Sequence, residues 1–147
     1  MVNVFGGTKR GPEGLTNFDI LHLVNHLKIP NFRGVFCRNE LPCEPEINES
    51  GIMNLSKSSD PGSHWVGYYK DGEERIYFDS FGQTVPIEVQ KYLKTPKEFN
   101  NNEPAIQRNT DIVQKPNTKI CGHLCVYVLD SLSKGANFHE IIKSLSW

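Results

Sequence analysis

The sequence predicts a single domain that mixes helices and strands, because both helical and strand patterns recur along the chain. Three observations carry this. In the last third, Cys121, Leu124, Cys125, Val128, Leu129 and Leu132 keep one helical face apolar, and Gly135 follows as a stop. In the middle, residues 64–69 and 75–79 are aromatic and β-branched, with Asp71-Gly72 between them as a hairpin signal. Near the start, Ile20, Leu23, Val24 and Leu27 repeat at helical spacing behind Thr16, a good N-cap, with Asp19 in the favourable first turn.

Taken in order, residues 1–14, with Gly6, Gly7, Gly11, Pro12 and Gly14, read as a flexible leader, and residues 15–147 as a single domain. Pro30 stops the first helix. Residues 33–37 form a short strand before Leu41-Pro42-Cys43-Glu44-Pro45, whose two prolines exclude it from a central strand. Residues 51–55 are a second short strand, followed by a polar loop through Gly62. If Asp71-Gly72 alone make the hairpin turn, position 70 faces 73 and His64 lies opposite Asp79. Directly opposed side chains have Cβ atoms about 4.5–5.5 Å apart, close enough for a histidine and an aspartate to bond. Pro86 opens a short helix through Leu93, and residues 95–104, with Asn100-Asn101-Asn102, are a surface loop. Residues 106–107 and 111–114 are weak strand candidates, and residues 138–145 form a closing helix.

Composition bounds the function. The chain has 147 residues, 37% hydrophobic and 22% charged, which fits one ordinary globular domain. Its apolar runs are far too short to span a membrane, and the N-terminus lacks the apolar stretch of a secretory signal. The four cysteines are therefore read first as thiols. A net charge of -1 offers no global drive toward nucleic acid.

The chemistry centres on Cys121. A cysteine attacks a carbonyl as its thiolate, and a helix N-terminus supplies partial positive charge and free backbone N–H groups. Cys121 stands where a polar loop gives way to the apolar helical pattern. A neighbouring imidazole completes an activated nucleophile, and His64 is preferred because Asp79 can hold its other ring nitrogen. The Cys121 backbone N–H and the Gln114 side-chain amide are the plausible pair of oxyanion donors.

Blander readings stand beside this one. A single cysteine on an apolar helical face is usually a small buried hydrophobe, and that reading is preferred for Cys125. A His-Trp pair on a strand is more often structural, an aspartate after a strand is commonly a turn former, and Gln114 alone has almost no specificity. Metal readings are weaker: Cys121, His123 and Cys125 do not converge on one ion, and Cys37 with Cys43 lacks a tight knuckle. His22 and His26 share a helix face, but position 23 is leucine where a metalloprotease would need glutamate. No metal and no cofactor is expected.

Taken together, these residues resemble the adenovirus-type cysteine endopeptidases (adenain), within the wider group that includes SUMO-specific proteases. Gly62-Ser63-His64-Trp65-Val66 is similar to the family's histidine motif and Tyr77-Phe78-Asp79-Ser80-Phe81-Gly82 to its acidic motif. Val113-Gln114, Pro116-Asn117, Cys121-Gly122 and Leu124-Cys125 resemble its glutamine and nucleophile motifs, down to the seven-residue separation of Gln114 and Cys121. The likeness runs from about Leu15 to Leu132, with Phe32-Arg33-Gly34-Val35 and Asn54-Leu55 as weaker matches.

The resemblance implies an α+β, papain-like cysteine protease fold of adenain type, with a central, mostly antiparallel sheet and the nucleophile at a helix N-terminus. It also implies cleavage of viral precursor polypeptides at Gly-containing sites during virion maturation, in the host nucleus or the virion. Cys121 would be nucleophile, His64 base and acid, Asp79 the orienting carboxylate and Gln114 an oxyanion donor; Trp65, Gly62 and Gly122 would line the substrate. Two departures argue against adenain's activators. Only 22 residues follow Cys125, and no cysteine lies just before Asp111 to pair with a peptide activator. Near-neutral charge argues against DNA stimulation. A monomer without membrane attachment is expected. Val4-Phe5-Gly6-Gly7-Thr8 resembles the family's cleavage consensus, although chance glycines in a leader are the simpler reading. Removal of ubiquitin-like modifiers, and silent binding of Gly-containing tails, stay open as alternatives.

Overall fold

The computed structural model describes residues 3–4, 14–56, 64–94, 105–115 and 118–146. Its elements are β1 (Asn3–Val4), α1 (Asn17–Leu27), β2 (Phe32–Cys37), β3 (Asn48–Asn54), β4 (Trp65–Asp71), β5 (Glu74–Phe78), α2 (Ile87–Leu93), β6 (Gln107–Arg108), α3 (Cys121–Ser133) and α4 (Phe138–Leu145). The strands form one sheet in sequential order from β1 to β6. The expected antiparallel part is the central meander β3-β4-β5, and the flanking pairings β1–β2, β2–β3 and β5–β6 are parallel. Parallel neighbours need a return path. α1 lies between β1 and β2, the proline-bearing segment 38–47 between β2 and β3, and α2 between β5 and β6.

Side chains alternate across this sheet with the period of two that strands impose. On one face Val35, Ile52, Trp65, Ile76 and Phe78 meet Ile20 and Val24 of α1, Cys125 and Leu129 of α3, and Ile141 of α4. On the other, Phe36, Met53, Val66, Tyr68 and Tyr77 meet Val89 and Leu93 of α2. The result is a sheet covered on both faces. No helix among the described residues is long and apolar enough to cross a membrane.

The first helix begins as its sequence requires. Thr16 Oγ1 accepts from the Asp19 N–H at 3.1 Å, and Asp19 Oδ2 accepts from the Thr16 N–H at 2.9 Å, a reciprocal cap. The helix stops at Leu27, where Lys28 turns left-handed ahead of Pro30. Within the expected leader, Asn3 and Val4 are paired with Gly34 and Val35 as an edge strand. The Gly6-Gly7 pair and the loop over 95–104 lie outside the described residues.

Two expectations change. Residues 111–114 form a loop instead of a strand, because the Val113 N–H goes to the Ser80 carbonyl at 2.9 Å and not into a ladder. The hairpin turn is Gly72-Glu73, one residue later than Asp71-Gly72, so Gly67 pairs with Phe78 and Asp71 with Glu74. Asp71 stays in the strand because it also pairs with Asn48 of β3, which leaves Gly72 to take the positive φ of 59° at the turn. The pairing slides by two residues along β5. A slip of one would have sent Asp79 to the wrong face, whereas two preserves it.

Behind the sheet a buried carboxylate ties β3 to its neighbours. Glu49 accepts from the Tyr68 hydroxyl at 2.5 Å, the Tyr92 hydroxyl at 2.8 Å and Arg33 Nη1 at 3.0 Å. These bonds fix the Tyr68 ring over Gly51, its cross-strand partner, so closely that a Cβ there would lie 2.5 Å from ring carbon Cε1. Tyr68 cannot yield without breaking its bond to Glu49. Gly51→Ala is therefore expected to cost about 1–3 kcal/mol, as overpacking of cores does. Urea unfolding checks this, and an unchanged midpoint would show that the ring is free to move.

Candidate active site

The site is assembled by the packing of α3 on the sheet. Cys125 of α3 packs over Gly67 of β4, where a Cβ on the glycine would stand at ordinary contact distance, 3.8 Å from Cys125 Cβ and 3.9 Å from Sγ. One helical turn earlier, Cys121 opens α3 above the start of β4, where His64 leads into Trp65. The helix start has no side-chain cap on its backbone N–H groups. That leaves the N-terminal field directed at the thiol.

His64 Nε2 lies 2.8 Å from Asp79 Oδ1. Extending the observed register beyond the strands makes Asp79 the diagonal neighbour of His64 and Phe81 its direct opposite, and the contacts agree. The Phe81 ring stacks on the imidazole at 4.7 Å between centroids and 23° between planes. Asp79 Oδ1 also accepts the Phe81 N–H at 2.9 Å, which fixes the carboxylate by a local turn. The predicted pair is thus real, reached through a different register.

Burial pushes His64 toward its neutral form, but the hydrogen bond to Asp79 and the interaction with Cys121 outweigh it and raise its pKa to about 9. Burial likewise pushes the Cys121 thiol up, and is outweighed by His64 and by the backbone N–H groups of Trp65 and Gly122, leaving it below the ordinary thiol range. Opposite shifts of this kind favour a thiolate–imidazolium pair. Among the described residues, Nδ1 of His64 is buried with no hydrogen-bond partner. Catalytic partners commonly tighten only as reaction proceeds.

Gln114 is 1% exposed and held at both ends of its amide. Ser80 Oγ donates to Oε1 at 2.5 Å, and Nε2 donates to the Thr118 carbonyl at 2.7 Å. A primary amide has two N–H donors, so one remains for an oxyanion. Trp65 is buried, its Nε1–H donating to the Leu15 carbonyl at 2.9 Å. A Cβ on Gly122 would meet Trp65 Cδ1 at 3.1 Å and Leu15 Cδ1 at 3.2 Å, so this glycine permits the close approach of helix to indole. Trp65 thereby packs against the start of α3, with its indole surface covered by protein. Gly62 lies outside the described residues.

Two residues carry more than their sequence signals. Asn109 accepts from the Asp79 N–H at 3.1 Å and donates to the Asp79 carbonyl at 2.6 Å, supplying with its side chain the ladder bonds that a neighbouring strand would provide. A single asparagine in a polar loop offers no periodicity by which to find it. Gly82, with φ 66°, brings the acidic turn against the Thr110 carbonyl, where a Cβ would lie 2.5 Å from oxygen. Among the described residues no group of three or more His, Cys, Asp or Glu is placed to hold a metal ion. Cys43, Cys121 and Cys125 carry free thiols.

The α+β fold of this chain is one found in solved cysteine proteases. In particular, it is similar to the ASFV pS273R protease at a TM-score of 0.61 and 15% identity, covering 92% of this chain and 64% of that one. A second structure of that protease, the Se-Met form, aligns at 0.61 with 16% identity over 93% and 66%. SUMO protease Ulp1, in a structure with the catalytic cysteine oxidized to a sulfinic acid, aligns at 0.54 with 15% identity over 91% and 75%. The chain spans about two-thirds of the ASFV protease's length. No family model and no curated protein matches the sequence.

The charges on His64 and Cys121 set an expected pH profile. The reactive pair forms as pH rises through the lowered thiol pKa, and is lost as His64 gives up its proton near pH 9. Asp79→Asn removes the strongest group favouring the imidazolium, so the alkaline limb should move to lower pH. Hydrolysis rates across pH, with thiol alkylation as a second readout, check this. An alkaline limb that stays in place in Asp79→Asn would show that Asp79 does not set the His64 charge.

Proposed function

We propose that the chain is a cysteine endopeptidase that cleaves viral precursor polypeptides at Gly-containing sites during virion maturation, in the host nucleus or the virion. The observation that carries the reading is the His64–Asp79 bond beside a Cys121 whose thiol is held below its ordinary range at a helix start. In this mechanism the Cys121 thiolate attacks the scissile carbonyl carbon, and the carbonyl electrons move to oxygen. The Cys121 backbone N–H and the free Gln114 N–H receive that oxyanion. His64 then gives its proton to the leaving amine as the C–N bond breaks, leaving a thioester. Water, deprotonated by His64, attacks the thioester and releases the carboxyl product and the thiolate. Asp79 keeps the imidazole oriented throughout.

Access favours glycine. Cys121 is 1% exposed, and the helix start beside it is pressed against Trp65 and Leu15, so a residue without a side chain reaches the thiol most easily. The likeness to SUMO protease Ulp1 over 75% of that chain supports a second reading, removal of a ubiquitin-like modifier. We infer further that the enzyme acts as a monomer without a peptide activator, and that a net charge of -1 gives little drive for DNA stimulation.

Incubation with viral precursors, ubiquitin-like conjugates and a thiol-reactive peptide probe separates these readings. Cleavage of the precursors and labelling at Cys121 are expected, both abolished in Cys121→Ala. Gln114→Ala should lower turnover by about two to three decades while leaving thiol alkylation intact. Cleavage that survives Cys121→Ala would remove the nucleophile assignment, and cleavage of modifier conjugates alone would establish the second reading.

A further inference from the structure

The acidic motif does two jobs with consecutive residues. Asp79 orients His64, and the next side chain, Ser80, is fully buried and aimed the other way, at Gln114. The two segments are also joined through the main chain, since the Ser80 carbonyl accepts the Val113 N–H at 2.9 Å. We propose that Ser80 is a positioning residue of the oxyanion site, holding the Gln114 amide so that its free N–H faces the developing negative charge; this rests on the protease reading of Gln114.

The chemistry of the amide makes the case. Its nitrogen can only donate and its oxygen can only accept, so turning it over exchanges a donor for an acceptor at the oxyanion. Gln114 Nε2 already faces the Thr118 carbonyl, an acceptor, at 2.7 Å. Oε1 therefore points the other way, into a buried site where the Ser80 hydroxyl, at 2.5 Å, donates to it. Without that hydroxyl the oxygen loses this donor in a buried site, and the amide gains by rotating toward another donor or toward water. Rotation takes the free N–H off the oxyanion. Nothing in this chain of contacts passes through His64 or Cys121. Ser80 should thus act on turnover while leaving the ion pair as it is.

The test compares wild type, Ser80→Ala, Gln114→Ala and the double variant on the same peptide substrate. Ser80→Ala is expected to lower kcat about tenfold or more, toward the loss in Gln114→Ala, with KM little changed. In the Gln114→Ala background it should add nothing. The Cys121 alkylation rate and the alkaline limb should match wild type. Ser80→Thr, which keeps the hydroxyl, should retain turnover, and serves as the reference if the alanine variant does not fold. Losses that add in the double variant, or alkylation that falls in step with kcat, would overturn the proposal in favour of a general structural role. Side-chain amide NMR reads the same contact without turnover: the Gln114 NH2 should be protected from solvent exchange in wild type and lose protection in Ser80→Ala. An unchanged NH2 signal overturns the proposal, whereas a wild-type enzyme that cleaves nothing counts against the protease reading alone.

Discussion

The packing of α3 on β4 is the constraint on which the site depends. Cys125 lies over Gly67 at ordinary contact distance, and helical geometry then places Cys121 one turn away, above the strand that His64 precedes. The apolar face of α3, through Val128, Leu129 and Leu132, anchors the rest of the helix in the main core. Hydrophobic burial is non-directional, so it can press a helix onto a sheet but cannot choose its height along the strand. The tight contact at Gly122 makes that choice at the helix start, where the missing side chain allows the backbone to come within reach of the Trp65 indole.

Around this packed centre the polar parts are tied to each other more than to the helix. The acidic turn over residues 79–82 bonds His64, Asn109, Val113 and Gln114 at once. Asp79 and Gln114 are therefore tied to the same turn. A site built this way holds its geometry through buried hydrogen bonds, which are strong in a low-dielectric setting and costly to leave unmade. The Glu49 cluster behind the sheet obeys the same logic. It satisfies a buried carboxylate with two hydroxyls and a guanidinium, and so fixes β3 against β4 and α2.

Much of this was legible from residue order, and the reasons differ by element. The capped first helix, the hairpin strands, the short helix after Pro86 and the two C-terminal helices each carry a local signal within a few residues: a cap, a turn glycine, a proline or an apolar period. Cys121 was legible as a nucleophile candidate because a polar-to-apolar change marks a helix start. The hairpin register was not. Turn chemistry alone favoured Asp71-Gly72, but β4 pairs on both edges, and its partnership with β3 keeps Asp71 in the strand. His64 and Asp79 still met because a two-residue slide preserves the face. Asn109, Ser80 and the loop over 111–114 were beyond reach for a related reason: their bonds join segments about 30 residues apart, and polar loop residues repeat with no period.

The sequence by itself determined the inventory of this protein. It held an α+β set of elements, a thiol at a helix start, an imidazole and a carboxylate on two strands of one hairpin, and an amide seven residues before the thiol. Those features are local, set by backbone propensity and short-range patterning, and short-range physics is written in order along the chain. Only the tertiary structure decided how the pieces meet: the register through a second strand, the height of the helix through Gly122, the aim of the Gln114 amide through Ser80. Each of those depends on excluded volume and hydrogen bonding between distant residues, and such contacts exist only once the sheet has formed.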